Sequence, residues 1–174
     1  GHPNIARAMV NLHRRYRITT AQLAEATEDR YHDSSGSGSI TMPHEEVRDY
    51  FYQRQNYLHE LDSAAEDLTA RMRMHGGELR TELSRQLTEV HGVRIVRRID
   101  LGDTVLHRYH PASKTLEIST HLSAGQRTFR MAAELAYLEV GDLLDTMVTD
   151  GKFTSEESRR LARLGMANYF AAAA

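Results

Sequence analysis

From Pro43 onward, apolar residues return every three or four positions: Val47, Tyr50, Phe51, Tyr57, Leu58, Leu61, Ala65, Leu68 and Met72. That period lays one apolar stripe along a helix and predicts a single long helix from Pro43 to the Gly76-Gly77 break. Glu45, Glu46 and Asp49 suit its N-terminal dipole, and Arg71, Arg73 and His75 its C-terminal one. Upstream, Pro3 opens a helix over 3–17 with Ile5, Met9, Leu12 and Tyr16 on one face. A second follows over 21–32, where Thr19 and Gln22 have capping-box spacing. The stretch Ser34-Ser35-Gly36-Ser37-Gly38-Ser39 has no apolar period and reads as a flexible spacer. Downstream, Leu79, Leu83, Leu87 and Val90 predict a helix over 78–90 that Gly92 ends.

The period then shortens to two. Val93, Ile95 and Val96 sit among arginines, and the runs Thr104–Tyr109 and Thr115–Ser119 follow, with turn chemistry at Asp103 and at His110-Pro111-Ala112-Ser113. These predict a small three-stranded sheet, expected to be antiparallel. Two more helices are predicted over 124–148 and 154–172, the second opened by a Thr154/Glu157 capping box. The fold class is α+β and mostly helical. Its division is an N-terminal helical arm over 1–33, a linker over 34–42 and a main domain over 43–174. The start at Gly1-His2-Pro3 and the end in Phe170 and four alanines are expected of a segment cut from a longer protein.

Composition narrows the chemistry. The 174 residues contain no Cys, which excludes disulfides, thiolate metal sites and thiol catalysis within them. Basic and acidic residues number 22 and 24, a net charge of −2, so no whole-surface nucleic-acid binder is expected. No apolar run is long enough for a membrane span. A soluble, cytoplasmic domain is therefore expected. Only Lys114 and Lys152 are lysines, which leaves 22 − 2 = 20 arginines, and guanidinium forks suit phosphate groups. The cluster Arg14-Arg15-Tyr16-Arg17 offers phosphate contacts, but the net charge of −2 and the lack of a second reading helix argue against DNA binding by this segment, and the basic run Arg94, Arg97, Arg98 reads as a solvated strand face. His107, His110 and His121 have spacing too weak to define a metal site.

The strongest signal is the helix Gln126-Arg127-Thr128-Phe129-Arg130-Met131-Ala132-Ala133-Glu134-Leu135-Ala136-Tyr137-Leu138 after a small sheet. It resembles the ImmA/IrrE zinc metallopeptidases, whose motif places two histidines four apart on one helix face, with a glutamate as general base. The resemblance puts those histidines at Ala133 and Tyr137, and keeps only Glu134. The family's third, acidic ligand precedes an Ala-Asn-x-Phe-Ala run, here Ala167–Ala171, and falls on Leu164 or Met166. A degenerate, zincin-like core without catalytic residues or metal is expected.

A wider resemblance rests on Asn11–Ile18, Ile40–Phe51 and Arg98–His107. These segments look like bacterial regulators of short-chain fatty-acid metabolism, of the propionate (PrpR) and acetate (RamB) types. That resemblance implies a central sensory domain binding propionyl-CoA or acetyl-CoA, and promoter DNA read by an N-terminal helix-turn-helix outside this chain. It implies a cysteine-containing C-terminal domain outside it too. The residues expected to hold an acyl-CoA are Arg54, Arg71 and Arg130 for phosphates, and Tyr50 and Tyr57 for stacking. Ala133, Glu134, Tyr137, Met166 and Phe170 are expected around the acyl end. Competing readings are a snorkelling Arg54, a dipole-pairing Arg71 and core packing for Tyr50, Phe51 and Tyr57. A homodimer is expected, with a ligand-free dimerisation module or a residual zinc peptidase as alternatives.

Overall fold

A computed structural model describes residues 42–74, 76–101 and 105–174. The two helices and the serine-glycine spacer expected upstream of Met42 lie outside the described residues.

Pro43 sits in the first turn of α1 (Pro43–Gln53), where its missing N–H costs nothing, and Glu45 accepts the Met42 N–H. The long helix expected from Pro43 is two helices, with α2 spanning His59–Arg73. Gln55 and Asn56 both take left-handed backbone, φ 53° and 57°, and the Asn56 N–H donates to the Phe51 carbonyl at 2.9 Å. Two consecutive left-handed residues end a right-handed helix. The apolar stripe runs across the break because Phe51 and Leu58, each 1% exposed, enter the same core from the two helices.

Helix α3 (Leu79–Arg85) passes into a π-helical turn over Gln86–Val90, and Gly92, at φ 69°, ends it as expected. The strands are β1 (Arg94–Arg98), β2 (His107–His110) and β3 (Thr115–Ser119). The sheet is mixed rather than antiparallel. Its order is β1-β3-β2, with β3 antiparallel to β2 and parallel to β1. Burial explains the order: Thr115, Leu116, Ile118 and Ser119 are buried, so β3 takes the centre. Arginine-rich β1, with Arg94, Arg97 and Arg98 exposed, takes an edge, where charge blocks further pairing.

The helix expected over 124–148 also divides, into α4 (Ala124–Glu139) and α5 (Gly141–Asp150). Val140 leaves helical geometry at φ −127°, and a β-branched residue followed by glycine is a weak helical pair. Helix α6 (Glu156–Ala173) is capped by Ser155, which accepts the Ser158 N–H at 2.9 Å, and not by Thr154. Thr154 instead donates through its N–H and hydroxyl to Glu46 of α1, at 2.8 and 3.2 Å. Helix α6 packs against α1, α2, α4 and α5. Its Ala162, Met166, Ala167 and Phe170 are fully buried, and at Gly165 an added Cβ would lie 3.2 Å from the Phe51 ring.

Candidate functional site

Helix α4 starts at a reciprocal cap. Ser123 accepts the Gln126 N–H at 3.3 Å, and Gln126 accepts the Ser123 N–H at 2.8 Å. That anchor fixes the rotation of the helix. Met131 through Ala136 are buried, and the spacing of four and three places Arg130, Glu134 and Tyr137 on one face. Strand β2 presents His107 and Tyr109 on one face by its period of two. The Arg130 charge lowers the proton affinity of His107, and the Glu134 charge raises those of Tyr109 and Tyr137.

The polar groups of this recess are poorly partnered. Glu134 is 6% exposed and makes no hydrogen bond or ion pair with any described residue. Burial pushes its carboxyl up to about 7, so it carries a proton much of the time near neutrality. Half-buried Arg130 likewise has no hydrogen bond or carboxylate partner among the described residues, and its guanidinium carbon lies 5.7 Å from the Phe129 ring centre. Burial, reinforced by Arg130, holds His107 down at about 4, so its imidazole is neutral. Burial raises the Tyr137 phenol, against the opposing charges of Arg163 and Arg130. Arg163 of α6 lies 4.8 Å over the Tyr137 ring while its Nε donates to Asp145 of α5 at 2.6 Å.

The structure brings Arg130, Ala133, Glu134 and Tyr137 together and sets the other expected site residues elsewhere. Arg71 pairs at 2.8 Å with Glu139, nine residues and about 14 Å along α4 from Arg130. His91 meets the same carboxylate at 2.8 Å. Arg54 closes α1, its guanidinium 3.6 Å over the Tyr50 ring. Tyr50 is 6% exposed and packs on Phe153 with ring centres 5.1 Å apart. Exposed Tyr57 bonds His59 at 3.1 Å. Met166 and Phe170 are fully buried in the core. His107, Tyr109 and Arg163 were absent from the expected site. The His107-x-Tyr109 alternation was the available signal for the first two, whereas Arg163 follows only from tertiary packing.

The arrangement does not suit zinc. An alanine methyl and a phenol stand where the helix of a zinc peptidase carries imidazoles, and Met166 and Leu164 offer no carboxylate. Among the described residues no three His, Asp or Glu side chains are grouped to hold a metal, and His110 is spent on Glu117 at 3.1 Å.

Residues 88–174, half of the chain, match the model of the IrrE N-terminal-like domain, a peptidase family. The chain belongs to that family. It is also similar along nearly all of its length to longer proteins. It is 80% identical over 172 residues, 99% of the chain and 36% of the relative, to the HTH-type transcriptional regulator RamB of Mycobacterium tuberculosis. Identity is 37% to the HTH-type transcriptional regulator PrpR of the same species, over 98% of the chain and 35% of that protein. It is 33% to the propionyl-CoA carboxylase regulator of Cereibacter sphaeroides, over 99% and 35%. A solved Mycobacterium tuberculosis transcriptional regulator superposes with a TM-score of 0.70 at 44% identity, covering 76% of this chain and 40% of that one. The chain thus spans about a third of the length of these curated relatives, which are named as transcriptional regulators. Among the described residues no helix is long and apolar enough to cross a membrane.

Proposed function

We propose that the chain is a non-enzymatic effector-binding domain of a cytoplasmic transcriptional regulator, and that its effector is a short-chain acyl-CoA, propionyl-CoA or acetyl-CoA. The observation that carries this reading is the recess on α4. A buried carboxyl and a half-buried guanidinium, both without protein partners, stand where the family helix would grip a metal. A ligand that bonds to such groups is held by charge-assisted hydrogen bonds. A protonated Glu134 and the Tyr109 and Tyr137 hydroxyls offer donors to a thioester carbonyl. The Cereibacter sphaeroides relative is named as a regulator of propionyl-CoA carboxylase, an enzyme that acts on a compound of this chemical kind.

Occupancy has a route out of the recess. Tyr137 touches Arg163 of α6, and α6 is gripped by α1 through Glu46–Thr154 and through Phe51 on Gly165. An acyl-CoA that binds two α6 positions with different affinity would bias α1 and the chain before it. In the whole protein that chain leads to the promoter-reading module, and two copies pair to read a two-fold site.

The test is thermal unfolding of the chain with propionyl-CoA, acetyl-CoA, free coenzyme A and EDTA. A ligand at about a hundred times its Kd adds about 2.7 kcal/mol to stability, a readily measured rise in Tm. Acyl-CoA is expected to raise Tm and EDTA to leave it unchanged. No rise with any coenzyme A species refutes the sensor reading, and a fall with EDTA reinstates a metal.

A further inference from the structure

We infer that α1 is an exchangeable arm, and that the partner it fits is a second copy of this chain. The turn between α1 and α2 opens into helix, the two run on as one rod, and α1 of each copy packs on α6 of the other. This goes beyond the proposed sensing role and does not depend on acyl-CoA binding.

Three observations carry it. First, the turn is strained. From His44 to His75 the sequence has no glycine and no proline, yet the chain bends at Gln55 and Asn56, both left-handed at φ 53° and 57°. A residue with a Cβ is disfavoured there, glutamine more than asparagine. Second, helical register runs through the turn. Phe51, Arg54, Leu58, Leu61, Ala65 and Leu68 are spaced alternately by three and four, the repeat of a seam that one continuous helix keeps on a single face. Opening the turn leaves no backbone donor stranded. The Asn56 N–H now donates to the Phe51 carbonyl at 2.9 Å and the Leu58 N–H to the Tyr169 hydroxyl at 3.3 Å. In a continuous helix they would turn to the carbonyls of Tyr52 and Arg54, four residues back.

Third, the contacts that hold α1 are ones a second copy reproduces. Helix α1 packs on α6, with Phe51 set against Gly165. Tyr50 packs on Phe153, and Glu46 accepts from the Thr154 N–H and hydroxyl. All of these partners lie about a hundred residues along the chain from the turn, so nothing local ties α1 to its own copy. Straightening within one copy would expose the buried side chains of Val47, Tyr50 and Phe51. Reciprocal exchange returns each of them to an identical site and removes both left-handed residues. A short hinge under strain, beside an arm whose site recurs on every copy, favours that exchange. In the exchanged pair, Pro43 of each copy sits against the body of the other.

The experiment refolds the chain from urea at two protein concentrations about a hundredfold apart and reads its mass by light scattering. The native chain has no cysteine, so Glu46→Cys with Thr154→Cys places two unique thiols across the contact between α1 and the start of α6. A short thiol-reactive crosslinker then joins them. Exchange predicts dimers at the higher concentration that crosslink between chains, and monomers at the lower one that crosslink within the chain. Gln55→Gly with Asn56→Gly accepts the left-handed turn and weakens the rod, and should lower the association constant at least about tenfold. Asn56→Ala has the opposite preferences and should raise it. Circular dichroism checks that each variant keeps native helix content. Monomers at both concentrations even in Asn56→Ala, dimers that crosslink only within each chain, or equal association of the glycine and alanine variants in folded form would overturn the inference.

Discussion

Replacing Glu134 with glutamine should uncover a pH dependence of stability that the native chain conceals. Glu134 ionises near 4.5 when unfolded and near 7 when folded, so the folded state keeps a proton that the unfolded state has lost. Its contribution therefore falls as pH rises through that window. His107 does the opposite: near 6.5 unfolded and about 4 folded, it gives up on folding a proton that the unfolded chain still holds. Its contribution falls as pH drops through nearly the same window. Between about pH 4.5 and 6.5 the unfolded chain holds one proton on His107 and the folded chain holds one on Glu134. No net proton is exchanged, and the two slopes cancel.

The magnitudes are worth measuring. A displacement of about 2.5 pH units at 1.36 kcal/mol each sets a ceiling of about 3 kcal/mol for either residue, and solvent at a partly open recess lowers it to about 2 kcal/mol. Urea unfolding from about pH 4.5 to 7.5 should give a nearly flat contribution from the pair in the native chain. Glu134→Gln should gain about 2 kcal/mol between the low and middle of that range and exceed the native chain at its top. His107→Gln should show the reverse slope. Parallel profiles for the native chain and Glu134→Gln would refute the reasoning, because Glu134 would then ionise normally in a wet or paired environment.

Two further substitutions probe the frame around the recess. Glu139→Ala removes the carboxylate that Arg71 and His91 share at 2.8 Å. Arg71 is half exposed, so a loss of about 1 kcal/mol is expected, with faster amide exchange at the end of α2; an unchanged urea midpoint would contradict it. Gly151→Ala would drive a Cβ into the Phe153 ring, which is 5% exposed and packs on Tyr50. Displacing that ring should cost about 1–3 kcal/mol, and a native Tm with an intact Tyr50–Phe153 contact by NMR would disprove the close packing.

Much of the fold was legible because it rests on local period. The stripes that enter the core at Val47–Phe51, Leu61–Met72 and Leu83–Leu87 were visible, as was the stop at Gly92. The breaks at Arg54–Asn56 and at Val140 were not, because each helix pair keeps one continuous apolar stripe across its turn. Nor was the sheet order, since nothing local reveals that β3 is buried on both faces. In the recess, Arg130, Glu134 and Tyr137 were accessible from helical spacing. Arg54 and Arg71 share their chemistry with Arg130; Tyr50 lies one turn before Arg54 on the same helix, whereas only tertiary packing shows that Arg71 pairs with Glu139.

The substitutions on α4 invert the electrostatic logic of the scaffold. A divalent cation beside Glu134 would keep its carboxylate ionised and ready to take a proton from water. Ala133 and Tyr137 remove the ligands that would hold such a cation, and Arg130 does not substitute for it, since burial alone governs the Glu134 carboxyl. Glu134, protonated much of the time near neutrality, can then donate a hydrogen bond rather than take a proton from water. Tyr137 does more than fill a vacated ligand position. Its ring meets Arg163, which Asp145 ties to α5, so a group lodged against Tyr137 presses on the packing of three helices. Helix α6 is the element that α1 grips through Thr154 and Gly165. Under the proposed sensing role, these contacts are the route by which an occupant beside Tyr137 would reach the first helix of the domain.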